Sequence, residues 1–80
     1  MSDNKQITLN QMRNQQSGIV VQIESGRGLA NRLNALGIRP GKKITKVSSS
    51  FMRGPITIQV DRSRVAIGFG MAKKIIIKPS

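Results

Sequence analysis

The chain has 80 residues, which suits one domain whose folding buries only about 60–65% of the unfolded surface. It carries 14 Lys and Arg but three Asp and Glu, for a formal net charge of +11. It contains neither Cys nor His, which excludes disulfides, thiolate metal sites and the commonest catalytic base. No apolar run approaches the ~20 residues of a membrane span, and the polar start lacks a signal-peptide core. The sequence therefore predicts a soluble intracellular protein without membrane insertion.

The first quarter of the chain combines a polar arm with one strand. Residues 1–16 are predicted to form a partly ordered N-terminal arm, which Ile7, Leu9 and Met12 attach to the core. Residues 17–23 are predicted to form the first long strand, because the apolar positions 19, 21 and 23 alternate with the period of a strand.

A short helix is predicted around residues 29–36, after a glycine-containing loop. Leu29, Leu33 and Leu36 follow helical spacing, and we expect Leu33 and Leu36 to plug one end of the fold. Gly37 stands where a helix end favours a positive φ angle, and Ile38 is placed to fold back on the last turn.

The second half of the chain contains short strands separated by turn residues. Ile44 and Val47 break simple alternation, so a bulge or bend is expected in the strand over residues 42–47. A polar loop is predicted at 48–50, followed by a hairpin from the strands 56–60 and 65–67. Residues 68–72 are predicted to form a compact turn with 3₁₀ character, and residues 75–77 a last strand buried on both faces. Five short strands and one helix favour a closed or nearly closed, mostly-β barrel, because closure removes exposed edges.

Three segments carry a resemblance to a known family. Residues 32–41 read R-L-N-A-L-G-I-R-P-G, residues 54–60 read G-P-I-T-I-Q-V, and residues 65–77 read V-A-I-G-F-G-M-A-K-K-I-I-I. In this order and spacing they resemble the ferrous iron transport protein A (FeoA) family, whose hallmark is R-L-x-x-L/M-G-I/L-x-P-G. The chain departs from the family before the first long strand, where Asn14-Gln15 replaces a frequent Pro-Gly. Asn tolerates turns well and Gln tolerates them poorly, so the resemblance does not determine the turn type there.

The resemblance implies a fold and a role. The fold would be an SH3-like β-barrel of about five strands, with one short helical insertion after the first long strand, formed by residues 17–80. The role would be that of a cytoplasmic accessory of a ferrous iron uptake system, placed at the inner membrane face by contact with FeoB, a membrane transporter with a cytosolic GTPase part. A further small accessory protein is left open.

The inventory of reactive side chains argues against catalysis and against a resident metal or other cofactor. Its carboxylates are Asp3, Glu24 and Asp61, and Lys and Ser residues stand in no activating motif. Ferrous iron is held mainly by His, carboxylate and thiolate ligands, so no metal site is predicted. Since no catalytic motif is present, no small-molecule substrate is predicted either.

Two segments combine apolar anchors with arginine, which favours protein interfaces. The first holds Leu29, Arg32 and Arg39 on the helix and its exit, and the second is the loop Phe51, Met52 and Arg53.

The alternative function is nucleic-acid binding by a small basic barrel, because the net charge attracts polyanions. Against it, Phe51 and Phe69 are the only aromatic residues, too few for a base-stacking platform of several rings.

Overall fold

The computed structural model describes residues 5–24, 26–49 and 54–80. Within these ranges six strands form one antiparallel sheet: β1 (Ile7–Thr8), β2 (Ser17–Ile23), β3 (Lys43–Ser49), β4 (Ile56–Val60), β5 (Ser63–Ile67) and β6 (Ile75–Pro79). Their order across the sheet is β1-β6-β2-β3-β4-β5. A 3₁₀ turn (Leu9–Gln11) follows β1, helix α1 (Arg27–Ala35) joins β2 to β3, and the single-turn helix α2 (Phe69–Ala72) joins β5 to β6.

One apolar core lies on the inner face of this sheet. It receives buried side chains from β2 through β6, from α1 and α2, and from the segment after β1: Leu9, Met12, Val20, Leu33, Ile38, Ile44, Ile56, Ile58, Val60, Ile67, Ala72, Ile75 and Ile77. The sheet must curl, because residues from strands at both ends of its order meet in one cluster. The mostly-β prediction is confirmed, with the two-residue β1 as an additional strand. The predicted anchors of the arm are also confirmed, since Leu9 and Met12 are buried and Ile7 is half-buried.

The β4–β5 hairpin follows directly from its sequence. In β4 the inner positions are buried and Thr57 and Gln59 are half-buried, as strand alternation requires. Five consecutive residue pairs join the strands, from Ile56 with Ile67 to Val60 with Ser63. The predicted hairpin is confirmed.

Strand β3 contains the predicted bulge, because its register with β4 shifts between Lys46 and Ser48. The predicted polar loop was wrong for its first two residues. Ser48 and Ser49 extend β3, because they pair with Thr57 and Ile56 of β4. A second irregularity in β2, between Val20 and Gln22, was not predicted.

The segment before the last strand is helical, and the strand itself is longer than predicted. Gly68 accepts a hydrogen bond from the N–H of Ala72 at 2.9 Å, which is an α-helical rather than a 3₁₀ interval. In β6, Ile75 and Ile77 are fully buried, whereas Ile76 is only half-buried. Burial on both faces was therefore only partly correct.

The turn before β2 is held by bonds to a distant strand. It is closed by the N–H of Gln16, which donates to the carbonyl of Arg13 at 3.0 Å, and Gln15 adopts φ = 71°. A positive φ at the third position is typical of a type II turn, where Gly is favoured. The backbone N–H of Gln15 donates to the carbonyl of Lys46 at 2.6 Å, and its Nε2 reaches the carbonyl of Val47 at 3.3 Å.

Candidate protein-contact site

The exit of α1 fixes the orientation of the whole helix. Gly37 has φ = 89°, and its N–H donates to the carbonyl of Asn34 at 2.9 Å. The N–H of Ile38 donates to the carbonyl of Leu33, also at 2.9 Å. This pair of bonds is a Schellman ending, in which the residue after the glycine packs on the last helical turn. Leu33 and Ile38 are fully buried, so α1 is anchored to the core at its C-terminal end.

A mixed apolar and basic stripe lies along one side of α1. Leu29, Arg32 and Leu36 lie three and four positions apart and therefore share one side of the helix. Among the large apolar residues that the structure describes, Leu36 alone is exposed, with 41% of its surface accessible. Arg32 is exposed and Leu29 is half-buried against the core. We call these three residues the α1 stripe.

The expectation that Leu36 would plug the fold was wrong. Leu33 and Leu36 are about 60° apart around the helix axis at 100° per residue, so they need not face the same surroundings. The Schellman ending folds the backbone of Ile38 back to Leu33, and both of these side chains are fully buried, whereas Leu36 is exposed.

A groove with a volume of about 650 Å³ lies beside the α1 stripe. It is lined by Leu29, Gly68, Gly70, Met71, Lys73 and Lys74. Leu29 and Met71 are half-buried and supply apolar surface, and the two exposed lysines supply positive charge. The Nζ atom of Lys73 lies 6.0 Å from the centroid of the Phe69 ring, which favours this placement of the amine. We call this cavity the basic groove.

Arg39 lies on another groove, of about 330 Å³, which we call the amide groove. Its lining residues are Gln22, Ile23, Ala30, Asn31, Asn34, Ile38, Arg39 and Pro40. The structure thus brings Leu29 and Arg32 together but places Arg39 at a second site. Phe51, Met52 and Arg53 lie outside the described residues.

The charged side chains that line the two grooves belong to Lys73 and Lys74 in one and Arg39 in the other. Of the two carboxylates in the described ranges, Asp61 is bound to Lys42, with Oδ2 and Nζ 2.6 Å apart. Glu24 accepts a bond of 3.5 Å from Nε2 of Gln22. No carboxylate among the described residues lines either groove, so both present amides, amines or guanidinium to a partner.

Lys46 is a buried amine that serves the fold. Its side chain is 5% exposed, and its Nζ donates to the carbonyl of Met12 at 2.6 Å. Desolvation lowers the pKa of Lys46 below its ordinary value of 10.5. The burial of Lys46 was not predicted, although strand alternation places it on the same inward face as Ile44.

Comparison with known proteins identifies the family. The model of the FeoA domain matches residues 7–79, nearly the whole chain. The chain belongs to the FeoA domain family. The resemblance of the three motif segments is therefore confirmed.

Individual relatives agree with this family. A Campylobacter jejuni protein named Putative Fe(2+) transport protein A is 32% identical over 69 residues, which span 86% of this chain and 93% of the relative. The crystal structure of an iron uptake regulatory protein, FeoA, is 33% identical and superposes with a TM-score of 0.86, covering 95% of this chain and 99% of that one.

The FeoA of Stenotrophomonas maltophilia, solved with zinc and described as an SH3 domain protein, is 24% identical with a TM-score of 0.76. The match covers 89% of this chain and 88% of that one. At this identity the likeness shows the fold, and the SH3-like architecture is confirmed.

Residues 5–24, 26–49 and 54–80 of this FeoA domain contain the acidic side chains of Glu24 and Asp61 and neither His nor Cys. Within these ranges no three His, Cys, Asp or Glu side chains cluster so as to hold a metal ion. None of the helices described there is long and apolar enough to cross a bilayer.

Proposed function

We propose that this FeoA domain is a non-catalytic, cytoplasmic accessory of a ferrous iron uptake system. It acts by binding the cytosolic GTPase part of a FeoB-type membrane transporter, which holds it at the inner face of the membrane. The observation that carries the proposal is the α1 stripe, where Arg32 and Leu36 are exposed on the same side of the helix as Leu29, which lines the basic groove.

The composition of this surface suits a protein partner. Apolar side chains next to arginine are enriched where binding energy concentrates in protein interfaces. Leu36 lies immediately before Gly37, so the rigid Schellman ending holds it in place before binding and limits the entropy lost on association. The lysines of the basic groove would steer an acidic partner surface toward the stripe.

The names of relatives support the biological setting. The Campylobacter jejuni relative is named for Fe(2+) transport, and the Stenotrophomonas maltophilia protein is described as a candidate activating factor for ferrous iron transport. Iron would be the cargo of the transporter, since His and Cys are absent from this chain. A contact that tunes the transporter needs no reactive group in the accessory.

The test is binding between the purified chain and the FeoB-type transporter of the same organism, both as its cytosolic part and as the full-length protein in membranes. We expect defined stoichiometry and a dissociation constant raised about tenfold by Leu36→Ser and by Arg32→Glu. Arg13→Glu is the charge-matched control, because Arg13 is exposed outside the stripe and the groove, and it should change affinity less than threefold. Absence of association, or equal affinity for all three variants, would overturn the proposal.

Nucleic-acid binding is the alternative, favoured by the net charge of +11 and by the outer face of the sheet. There the exposed Lys43 and Lys78 stand on either side of Ile19, on the strands that flank β2. Duplex DNA binding would weaken with salt at a slope of about 0.9 per phosphate contact on a log–log plot. We expect such binding to vanish at physiological salt, and specific binding that persists there would favour this alternative.

A further inference from the structure

The two edge strands of the sheet differ in length and in how readily their backbone could pair with another chain. At one end β1 has only two residues and runs directly into a 3₁₀ turn. At the other end β5 has five residues, all paired with β4 without a register shift. Strand β5 contains no proline and no bulge, which are two devices that protect sheet edges from further pairing.

The unpaired backbone groups of β5 follow from hydrogen bonds further inside the sheet. The N–H of Lys46 donates to the carbonyl of Gln16 at 2.9 Å, and the carbonyl of Lys46 accepts from Gln15 at 2.6 Å. Both backbone groups of Lys46 therefore face the β2 side. Because successive residues of a strand direct these groups to opposite sides, those of Thr45 face β4.

The same alternation continues across β4. Gln59 lies opposite Thr45, so the backbone N–H and C=O of Gln59 bond to β3. Gln59 therefore has no backbone group directed at β5, and its pair with Arg64 is a non-hydrogen-bonded pair. Arg64, and by alternation Ala66, thus direct their N–H and C=O groups away from β4. No described strand pairs with β5 on that side.

The side chains around this edge favour one kind of partner. Ser63, Arg64 and Ala66 are exposed, and Arg62 precedes the strand. The nearby carboxylate of Asp61 is bound to Lys42, which leaves the arginines along β5 to act on an approaching chain. A second copy is disfavoured, since each copy carries +11 and antiparallel pairing would set the two Arg64 side chains opposite or diagonal to each other.

We propose that the β5 edge binds an extended acidic segment of a partner protein as a seventh strand, through the backbone of Arg64 and Ala66. Backbone bonds supply affinity in this mode of recognition, and alternate side chains supply specificity. Glutamate or aspartate at alternate positions of the added strand would face Arg64. This contact is separate from the α1 stripe and does not depend on it.

The probe is a blocked seven-residue peptide that alternates glutamate and valine, titrated into isotope-labelled protein and followed by NMR. We expect the amide signals of Arg64 and Ala66 to shift and their hydrogen exchange to slow at least tenfold. The Val65 amide, which bonds to β4, should already be protected without peptide. A peptide alternating lysine and valine, and a glutamate peptide with alternate amides N-methylated, should both bind at least tenfold more weakly.

Two variants at one position sharpen the test. Ala66→Pro removes an N–H that faces away from β4, so the hairpin keeps its bonds while the edge loses a donor. Ala66→Pro should raise the dissociation constant of the glutamate peptide at least tenfold, whereas Ala66→Ser should leave it within twofold of the wild-type value. Native dispersion of the other amide signals verifies that each variant is folded.

The proposal is overturned by peptide shifts centred on the basic groove, by equal affinity for the N-methylated peptide, or by self-association through β5 without peptide. Leu36→Ser should leave peptide binding intact. Failure of the transporter contact and failure of the edge contact are therefore distinguished by separate variants.

Discussion

Two of the turns that hold a residue at positive φ, the exit of α1 and the turn before β2, are stabilised in different ways. At the exit of α1, Gly37 adopts φ = 89°, and the bonds that close the turn join residues three to five positions apart. Before β2, Gln15 adopts φ = 71°, and its backbone is bound to Lys46, 31 positions further along the chain. The first turn is determined by neighbouring residues, and the second is imposed by the sheet.

The difference has an energetic side. Gly reaches the left-handed region without the steric cost of a Cβ atom, whereas other L-residues lose roughly 1–2 kcal/mol there. Gln15 remains in that region because its backbone and side chain both bond to β3, and because Lys46 ties the preceding Met12 to the same strand. Substitutions in the two turns should therefore differ in both size and sign.

The largest effect is expected at the base of the helix exit. Leu33→Ala should lower the free energy of unfolding by about 2–5 kcal/mol, because Leu33 is fully buried and the cavity would sit under the Schellman ending. Leu36→Ala, three residues on, should change it by less than about 0.5 kcal/mol because Leu36 is 41% exposed. Urea denaturation measures both variants, and equal losses would contradict the outward orientation of Leu36.

Gly37→Ala should come next, with a loss of about 1–2 kcal/mol from the left-handed backbone. The new Cβ would also lie 3.3 Å from Cγ1 of Val60, so the neighbour must move slightly. Gly28→Ala is the matched control within α1, where a Cβ would meet nothing within 4 Å. Ala is the better helix former, so this variant should gain about 0.5–1 kcal/mol in the same denaturation experiment. If Gly37→Ala left the free energy of unfolding unchanged, the claim that neighbouring residues determine the conformation of the helix exit would be wrong.

The sequence predicted those elements whose conformation is determined by residues close by in the chain. The hairpin, the helix exit and the bulge of β3 were readable because alternation, a glycine and broken alternation stand within a few residues. Ser48 and Ser49 were misassigned because their strand conformation comes from pairing with β4, which no serine signals by itself. The positive φ of Gln15 was likewise hidden, although the departure from Pro-Gly marked the position.

The candidate site was predictable only in part for the same reason. Composition selected Leu29 and Arg32, and helical spacing places both on the α1 stripe. The groove beside them was not predictable, because Met71, Lys73 and Lys74 follow β5 and meet Leu29 only once the sheet has curled. The free edge of β5 required the complete strand order.

Lys46→Met should have an intermediate effect that changes with pH. At neutral pH we expect a net loss of about 1 kcal/mol, because the carbonyl of Met12 loses a charged donor worth about 1.5–3 kcal/mol while the penalty for burying that charge is removed. Burial lowers the pKa of Lys46, so the unfolded chain holds its proton more strongly than the folded one. The penalty for burying the charge is complete below the folded pKa and disappears as pH rises toward the ordinary value of 10.5.

The stability of the wild-type protein relative to Lys46→Met should therefore increase as pH rises through that window. Denaturation in urea at several pH values measures the difference. The exposed Lys43→Met in the same strand is the control, with a change below about 0.5 kcal/mol. A difference that decreases with rising pH would show that burial does not destabilise the charged amine.

The smallest effect, and one of opposite sign, is expected at the N-terminal turn. Gln15→Gly relieves the left-handed strain but loses an exposed bond of 3.3 Å to Val47 and makes the unfolded chain more flexible, for a net gain of about 0.5 kcal/mol. Gln15→Asn should gain less, because Asn tolerates this region only partly. Thermal and urea denaturation measure both variants. A loss above about 1 kcal/mol for Gln15→Gly would mean that the side-chain bond to β3 outweighs the strain, so that this turn, too, depends on the identity of its own residue.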